Sequence, residues 1–293
     1  MKVLITNLLI VISCSVFGQN YTYDSYNRLK TVTYSDGSQI RYEYDDLGNR
    51  SSYEVIAVKV FLDIKLILSG PYNEAVDLMN DHLRSAAYLP STEPFSTSGY
   101  QHKGIQGGGE SIVSQAVLND NSNNSIVDWV VVELRDKNDI NNVLHTRSAL
   151  LQRDGDVVEM DGSSLVGFFG IQADEYYIAI RHRNHLTIST ADPIAISTTT
   201  TTFPINFTDG STQTYGINAQ VTLPDGRMGM IPGDANSDGA INAVDRNIYW
   251  RIQNGTPFNY LTSTADFNMD GVVNAIDQNL YWRLNNSRTT NVD

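Results

Sequence analysis

Short runs rich in apolar and β-branched residues recur through the middle of the chain, and Gly, Asn, Asp and Pro separate the runs. Clear examples are residues 128–135 and 175–182. Such runs, recurring at roughly ten-residue spacing with few helical stretches, predict an antiparallel β-sandwich. We place this module at residues 55–230. Within it we expect one short helix near residues 73–85 and a long exposed loop at 93–110, which contains three consecutive glycines.

The pattern changes to a helical period near the C-terminus. Apolar side chains recur every fourth residue in two matching stretches, which are Val244, Ile248 and Ile252, and Ile276, Leu280 and Leu284. A step of four residues keeps side chains on one face of an α-helix. The two stripes are therefore predicted to form the interior between two helices.

Each predicted helix begins within a twelve-residue acidic segment, and the second segment starts 32 residues after the first. In both segments, side chains that carry oxygen occupy positions one, three, five, nine and twelve, and Gly239 and Gly271 stand at position six. Ca²⁺ takes about six to eight oxygens at roughly 2.3–2.6 Å, and such loops supply them from these positions and from the backbone carbonyl of position seven. Mg²⁺ is disfavoured because it prefers fewer protein ligands and retained waters. The sequence therefore predicts two Ca²⁺ sites, with the ligands Asp234, Asn236, Asp238, Ala240, Asn242 and Asp245, and Asp266, Asn268, Asp270, Val272, Asn274 and Asp277.

The pair of loops resembles dockerin domains, because Asp closes each loop, a helix starts within it and no helix precedes it. This resemblance covers residues 231–288 and implies a small all-α domain of two loop–helix units that docks onto a cohesin-like or other surface protein. Dockerins that recognise cohesins often place Ser and Thr at loop positions ten and eleven, whereas this chain has Ala243-Val244 and Ala275-Ile276.

Two tryptophans stand at equivalent places in the predicted helices, and an arginine follows each one. Trp250 lies two residues after Ile248, which is roughly 200° around an α-helix. We therefore predict that Trp250 and Trp282 point away from the helix–helix interior and bind a partner together with Arg251 and Arg283. The alternative is that both tryptophans pack against the β-rich module of the same chain.

The first 18 residues have a basic start, an apolar run and a small-residue exit, which is typical of a secretory signal peptide. Cys14 is the single cysteine of the sequence, so a chain cleaved after Gly18 could form no disulfide. The alternative is lipoprotein processing, in which Cys14 becomes the lipidated first residue. Either route predicts a secreted or cell-surface protein without a transmembrane segment after removal of the signal.

Tyr-Asp pairs recur 21 residues apart at the start of the predicted mature chain, at Tyr23-Asp24 and Tyr44-Asp45. An Asp36-Gly37 turn lies between them. This segment, residues 19–54, is similar to the YD-repeat (RHS) family, in which many repeats wind into a β shell. One and a half repeats are too few for a shell, because a repeat buries its apolar face only against neighbours.

The charge and the remaining side chains narrow the function further. The net charge of −13 argues against nucleic acid as a partner. His182 and His185 are predicted to face opposite sides of a strand, which argues against a joint metal site. The acids available for glycosidase chemistry are Glu110, Glu133, Glu159 and Asp161, and no pattern joins them into a catalytic pair.

These observations predict an exported calcium-binding protein that docks through its C-terminal domain and carries a β-sandwich module for adhesion or binding. We expect no enzymatic activity, since no catalytic motif is present. The first alternative is an accessory or catalytic component of extracellular polysaccharide degradation, with a glycan as a partner. The second is that the calcium domain is an internal brace without a partner.

Overall fold

The computed structural model describes residues 19–34, 39–56, 59–104, 106–171, 174–196 and 202–292. The chain divides into two compact units, the first comprising Met1–Val58 with Gly170–Gln172 and the second Lys59–Phe169 with Ala173–Asp293. The predicted signal peptide, including Cys14, lies outside the described residues. Among the described residues, no helix is long and apolar enough to cross a membrane.

The first unit contains a four-stranded antiparallel sheet made of β1 (Asn20–Tyr23), β2 (Leu29–Thr33), β3 (Gln39–Tyr44) and β4 (Arg50–Ile56). The Asp of each Tyr-Asp pair organises a turn: Asp24 Oδ1 accepts hydrogen bonds from the amides of Tyr26 and Arg28, and Asp45 Oδ1 accepts them from Leu47 and Asn49. The predicted Asp36-Gly37 turn falls outside the described residues.

The second unit carries the other strands. In chain order they are β5 (Lys59–Lys65), β6 (Tyr72–Asn73), β7 (Leu78–Met79), β8 (Ile126–Asp136), β9 (Asp139–Gln152), β10 (Asp156–Val158), β11 (Val166–Phe169), β12 (Asp174–Arg181), β13 (Ile188–Ser189), β14 (Ile194–Ile196), β15 (Thr202–Asn206), β16 (Gln220–Thr222) and β17 (Met228–Met230). Nine of them join in one hydrogen-bonded network in the order β11-β5-β10-β9-β8-β12-β13, with β14 on β12 and β15 parallel to β5. The other pairs are antiparallel, which confirms the prediction of a mainly antiparallel β class.

The long strand β8 lies in the centre of this network, between β9 and β12. Every residue from Ile126 to Arg135 is buried. The outward-facing positions of a half-exposed strand would be polar and solvated, but here Asp128, Glu133 and Arg135 are buried as well. These charged side chains therefore need partners within the protein.

Two local predictions for the module need correction. The segment 73–85 forms mainly the small β6–β7 hairpin, and only α1 (His82–Ser85) is helical. The segment 93–110 lacks long strands, but it is not an exposed loop throughout, because Glu93, Phe95 and Glu110 are buried. Backbone amides inside the segment donate to both buried glutamates. The backbone amide of Ser148 in β9 also donates to Glu110, which holds the segment against the sheet.

The remaining helices are short. A 3₁₀ turn spans Gln115–Asn119. Near the C-terminus, α2 starts as a π-helix at Asp245–Trp250 and continues as Arg251–Gln253, and α3 repeats this with Asp277–Trp282 and Arg283–Asn285. Both helices belong to the second compact unit, together with the β network.

Candidate metal centre

The two acidic segments fold into loops of matching geometry. Gly239 and Gly271 at position six have φ of 81° and 82°, as the sharp turn requires. Position four also has positive φ, at Ser237 and Met269. The sequence does not predict this feature, because Ser and Met are not residues typical of left-handed backbone.

The first and last carboxylates of each loop accept backbone hydrogen bonds from the loop itself. Asp234 Oδ2 accepts from the amide of Gly239 at 2.9 Å, and the two oxygens of Asp245 accept from Ala235 and Asn242 at 2.8 and 2.7 Å. The second loop repeats these contacts, with Asp266 bound to Gly271 and Asp277 to Phe267 and Asn274. This network fixes the path of both loops and brings positions one and twelve to their centres.

These four carboxylates are all buried: Asp234, Asp245, Asp266 and Asp277. Burial and the neighbouring acids raise the pKa of Asp234 and of Asp277 to about 7, and burial raises the pKa of Asp266 to about 6. In the part of the chain that the structure describes, no Lys or Arg forms a salt bridge with any of them. Buried acids that repel each other require a cation.

The donor set therefore fits a hard divalent cation, with carboxylates at positions one, five and twelve, amides at three and nine, and a carbonyl at seven. Among the described residues, no three acidic, His or Cys side chains are already grouped to hold a metal ion. Asp238 and Asp270, at position five, instead accept from the amides of Asn236 and Asn268 at position three.

The two loop–helix units hold each other through their tryptophans. Trp250 Nε1 donates to the carbonyl oxygen of Asn274 at 2.7 Å, and Trp282 Nε1 donates to that of Asn242 at 2.8 Å. Each tryptophan thereby fixes position nine of the opposite loop. Both rings also pack on a buried cluster of loop residues, Ala235, Ala265, Phe267 and Val273.

The predicted outward orientation of the tryptophans is therefore wrong. Trp250 packs within the C-terminal domain, and Trp282 additionally contacts a second cluster that contains Leu186 of the β-rich module. Arg251 and Arg283 are exposed, as the prediction required. The role of these four residues in partner binding stays a prediction.

The apolar stripes also lie on the opposite face of the two helices from the predicted one. They do not form the interior between the helices but are exposed, with exposed fractions of 41% for Val244, 57% for both Ile248 and Leu280, and 70% for Leu284. Ile252 and Ile276 are exposed too. The helical period correctly grouped these side chains, but the aromatic residues occupy the covered face.

The segment that follows β12 joins the loops to the β-rich module. Asn184 Nδ2 donates to the backbone carbonyls of Thr264 and Asp266, at 3.1 and 2.7 Å. Arg183 donates to the carboxylate of Asp128 in β8 and to the carbonyl oxygens of Tyr260 and Ser263. One buried polar network therefore joins residues on both sides of the domain boundary predicted at residues 230/231.

His182 and His185 do not lie on a strand, and they do not point in opposite directions as predicted. Their Nδ1 atoms are 3.1 Å apart, and both rings are buried. Burial lowers the pKa of both imidazoles, which favours the neutral form. The backbone amide of Gly70 donates to His185 Nε2, and Asp128 lies 3.3 Å from His182 Nε2. These contacts form a buried hydrogen-bond chain, which indicates a structural role for both histidines.

The four acids considered for catalysis have other partners. Glu133 is fully buried and binds Arg135, Arg181 and Tyr100. A surface cleft does bring Glu110, Glu159 and Asp161 together. There, however, Glu159 pairs with Arg147, and Asp161 organises a turn through the amides of Ser163 and Ser164.

Comparison with known proteins identifies two segments. Residues 232–283 match the family model of the dockerin type I domain, and residues 23–54 match that of the RHS repeat. No curated protein was found to match the chain. Among solved structures, the chain is similar to an N-terminal interface mutant of a type II cohesin–X-dockerin complex from Acetivibrio cellulolyticus, with 13% identity, a TM-score of 0.34, and coverage of 80% of this chain and 97% of that chain. The C-terminal segment is therefore a dockerin type I domain, a kind of domain that binds Ca²⁺ and docks onto other proteins, and the N-terminal segment is an RHS repeat.

Proposed function

We propose that this protein is exported to the cell surface or beyond and attaches to a cohesin-like partner through its dockerin domain. The observation that carries the proposal is the pair of exposed apolar stripes on α2 and α3. Exposed apolar side chains grouped on one face are typical of a protein–protein interface. Ala243-Val244 and Ala275-Ile276, which replace the usual Ser and Thr, make the start of each stripe more apolar.

Two Ca²⁺ ions, one in each loop, would hold the helices in place for docking. The carboxylates of positions one, five and twelve, with the amides and the carbonyl, would bind each ion, and the ion would neutralise the buried acids. Calorimetric titration of the full chain should give two Ca²⁺ per chain. Asp277→Asn should leave one, and a single ion in the unaltered chain would contradict the proposal.

Docking is tested by capture on a panel of purified recombinant cohesins in the presence of Ca²⁺. Ile248→Asp combined with Leu280→Asp should abolish capture while leaving the circular dichroism unchanged, since both residues are exposed. Val113→Asp is a matched control, because Val113 is an exposed apolar residue of the β-rich module. If no cohesin captures the unaltered protein, the partner class is wrong, and the domain would be an internal brace.

For the β-rich module we propose a role in adhesion or ligand binding, without catalysis. The alternative is an accessory or catalytic component of polysaccharide degradation, and its catalytic form requires a pair of carboxylates. The arginine and backbone partners of Glu133 and Glu159 favour a structural role for these acids. If the protein releases shorter sugars from a panel of polysaccharides, the alternative is correct.

A further inference from the structure

The four-stranded sheet of the first compact unit has two chemically different faces. Successive side chains of a strand point to opposite faces, and the strand register shows which of them lie side by side. One face is polar, with Arg41 and Glu54 paired at 3.6 Å in the row Thr22, Thr31, Arg41 and Glu54. The other, which we call the tyrosine face, carries the row Tyr21, Val32, Ile40 and Val55 and, next to it, Tyr42 opposite Tyr53.

The tyrosine face is open to solvent at both edge strands. Tyr23 continues it along β1, two residues after Tyr21. The exposed fractions of these two residues and of Tyr53 and Val55 in β4 lie between 51% and 62%. An apolar sheet face is normally covered by a second layer of secondary structure. In the described part of this unit the four strands form a single layer, so the face requires a partner.

The size of the tyrosine face matches a weak interface between two proteins. An aromatic side chain carries about 150–250 Å² of surface, so the edge residues, with the partly exposed Ile40, Tyr42 and Tyr44, present roughly 500–600 Å². Two such faces packed together remove roughly 1,000–1,200 Å² from water, which is near the lower limit for a specific complex. Apolar patches of this size on a protein surface mark interaction sites.

The charged groups near the tyrosine face lie toward the end with the β1–β2 and β3–β4 turns. The basic ones are Arg28, Lys30 and Arg50, and the acids of the two turns are Asp24, Asp45 and Asp46. Arg28 lies 4.5 Å from the ring centre of Tyr44, and Arg50 lies 5.8 Å from that of Tyr53, so these rings are partly covered. The row that begins with Tyr21 lies farther from the turns and contains no charged residue.

A second copy of the sheet fits these features. With a two-fold axis perpendicular to the strands, the charged turns of the two copies lie at opposite ends of the interface, in water, and the uncharged side chains lie in the middle. Specific interfaces have such an apolar centre and a polar rim. At each end, the arginines of one copy approach the uncharged tyrosines of the other, which favours cation–π contacts.

We propose that the tyrosine face packs against the same face of a second copy of this protein, so that two single sheets become the two layers of a β-sandwich. The layers then lie about 10 Å apart, as in other face-to-face sheets. The protein is therefore a weak dimer through its RHS repeat, and each dimer presents two dockerin domains. The calcium loops take no part in this contact.

Sedimentation velocity of the full chain should show a reversible monomer–dimer equilibrium with a dissociation constant of roughly 1–100 µM. Tyr53→Glu should weaken the dimer roughly tenfold or more, because it buries a carboxylate of each copy near the two-fold axis. Thr22→Glu is the matched control and should leave the dissociation constant unchanged, since Thr22 is exposed on the polar face. A chain that stays monomeric at roughly 100 µM overturns the proposal.

Cross-linking tests the same contact without adding charge. Cys14, the single cysteine, lies in the predicted signal peptide. Tyr53→Cys should give dimers with a bismaleimide that spans about 10 Å, whereas Ser52→Cys, on the polar face beside Glu43, should give none. Equal yields from the two variants would overturn the proposal. A dimer that survives Tyr53→Glu but is lost on combining Ile248→Asp with Leu280→Asp would also overturn it, because the copies would then meet through the apolar stripes of α2 and α3.

Discussion

The side-chain amide of Asn184 donates a 2.7 Å hydrogen bond to the backbone carbonyl of Asp266, the first residue of the second calcium loop. Asn184 belongs to the segment after β12, so this bond joins the β-rich module directly to a metal loop. The backbone carbonyl of Asn184 also accepts from Gly233, the residue before the first loop. One residue of the module thereby contacts the starts of both loops.

Removal of Ca²⁺ should therefore destabilise the whole second unit and not only its last 60 or so residues. With free Ca²⁺ at roughly 100 times the dissociation constant, each site contributes about 2.7 kcal/mol, so chelation should lower the melting temperature by roughly 10–20 °C. Thermal unfolding followed by the fluorescence of the three tryptophans tests this, since Trp129 is buried in β8. If the fluorescence change of Trp129 in β8 occurs at the same temperature with and without chelator, the stability of the module does not depend on the loops.

Replacing Asn184 tests the connection itself. Asn184→Ala removes both bonds to the loop backbone and should lower the free energy of unfolding by about 1–3 kcal/mol, because buried carbonyls lose their donors. Asn138→Ala is a suitable control, since Asn138 is exposed in the β8–β9 turn. The loss should appear in urea unfolding with Ca²⁺ bound. A loss no larger than that of the control would show that the contact adds nothing.

Each tryptophan donates a hydrogen bond to the loop of the other loop–helix unit. Each helix should therefore affect the Ca²⁺ affinity of the opposite loop. Trp250→Phe keeps an aromatic ring but loses the hydrogen bond to Asn274, which is worth about 0.5–1.5 kcal/mol. In an Asp245→Asn background, where only the second loop should bind, this change should weaken Ca²⁺ by roughly two- to tenfold. Trp282→Phe in the same background should have a smaller effect, because Trp282 donates to the first loop. Equal effects of the two changes would contradict the crossed arrangement.

The sequence predicted the dockerin segment because its acidic, amide and glycine positions follow one another within twelve residues and need no tertiary information. The individual Ca²⁺ ligands stay a prediction. Sequence reasoning failed for the tryptophans for a physical reason. A four-residue period shows that Val244, Ile248 and Ile252 share a face, but it does not show whether that face is covered. In the structure, the indole groups take the covered face, where each N–H finds a carbonyl acceptor in the other loop.

The meeting of His182 with His185 was equally beyond sequence reasoning. The strand β12 ends at Arg181, and the chain turns immediately afterwards. The strand rule that separates side chains onto two faces therefore does not apply to these residues. The buried Asp128 that orients them comes from β8, more than 50 positions earlier, and only the fold brings the three together.

The same network predicts how the protein responds to acid. The buried carboxylate of Asp128 faces the guanidinium of Arg183, the ring of His182, the hydroxyl of Tyr260 and the backbone amide of Trp129. Burial alone would raise its pKa, but the charge of Arg183 and the hydrogen bonds outweigh burial and hold the pKa of Asp128 at about 2.

An unfolded Asp has a pKa of about 3.9, so the folded state binds the Asp128 proton less readily than the unfolded state does. The stabilisation is complete above about pH 4 and is lost as the pH falls toward about 2. Asp128→Asn should lower the free energy of unfolding at neutral pH by about 3–5 kcal/mol, because it leaves Arg183 buried without its counter-ion. The difference between this variant and the unaltered protein should shrink below about pH 4. Urea unfolding of both proteins between neutral pH and pH ~2 measures it, and a difference that stays constant with pH would show that Asp128 is not the titrating group.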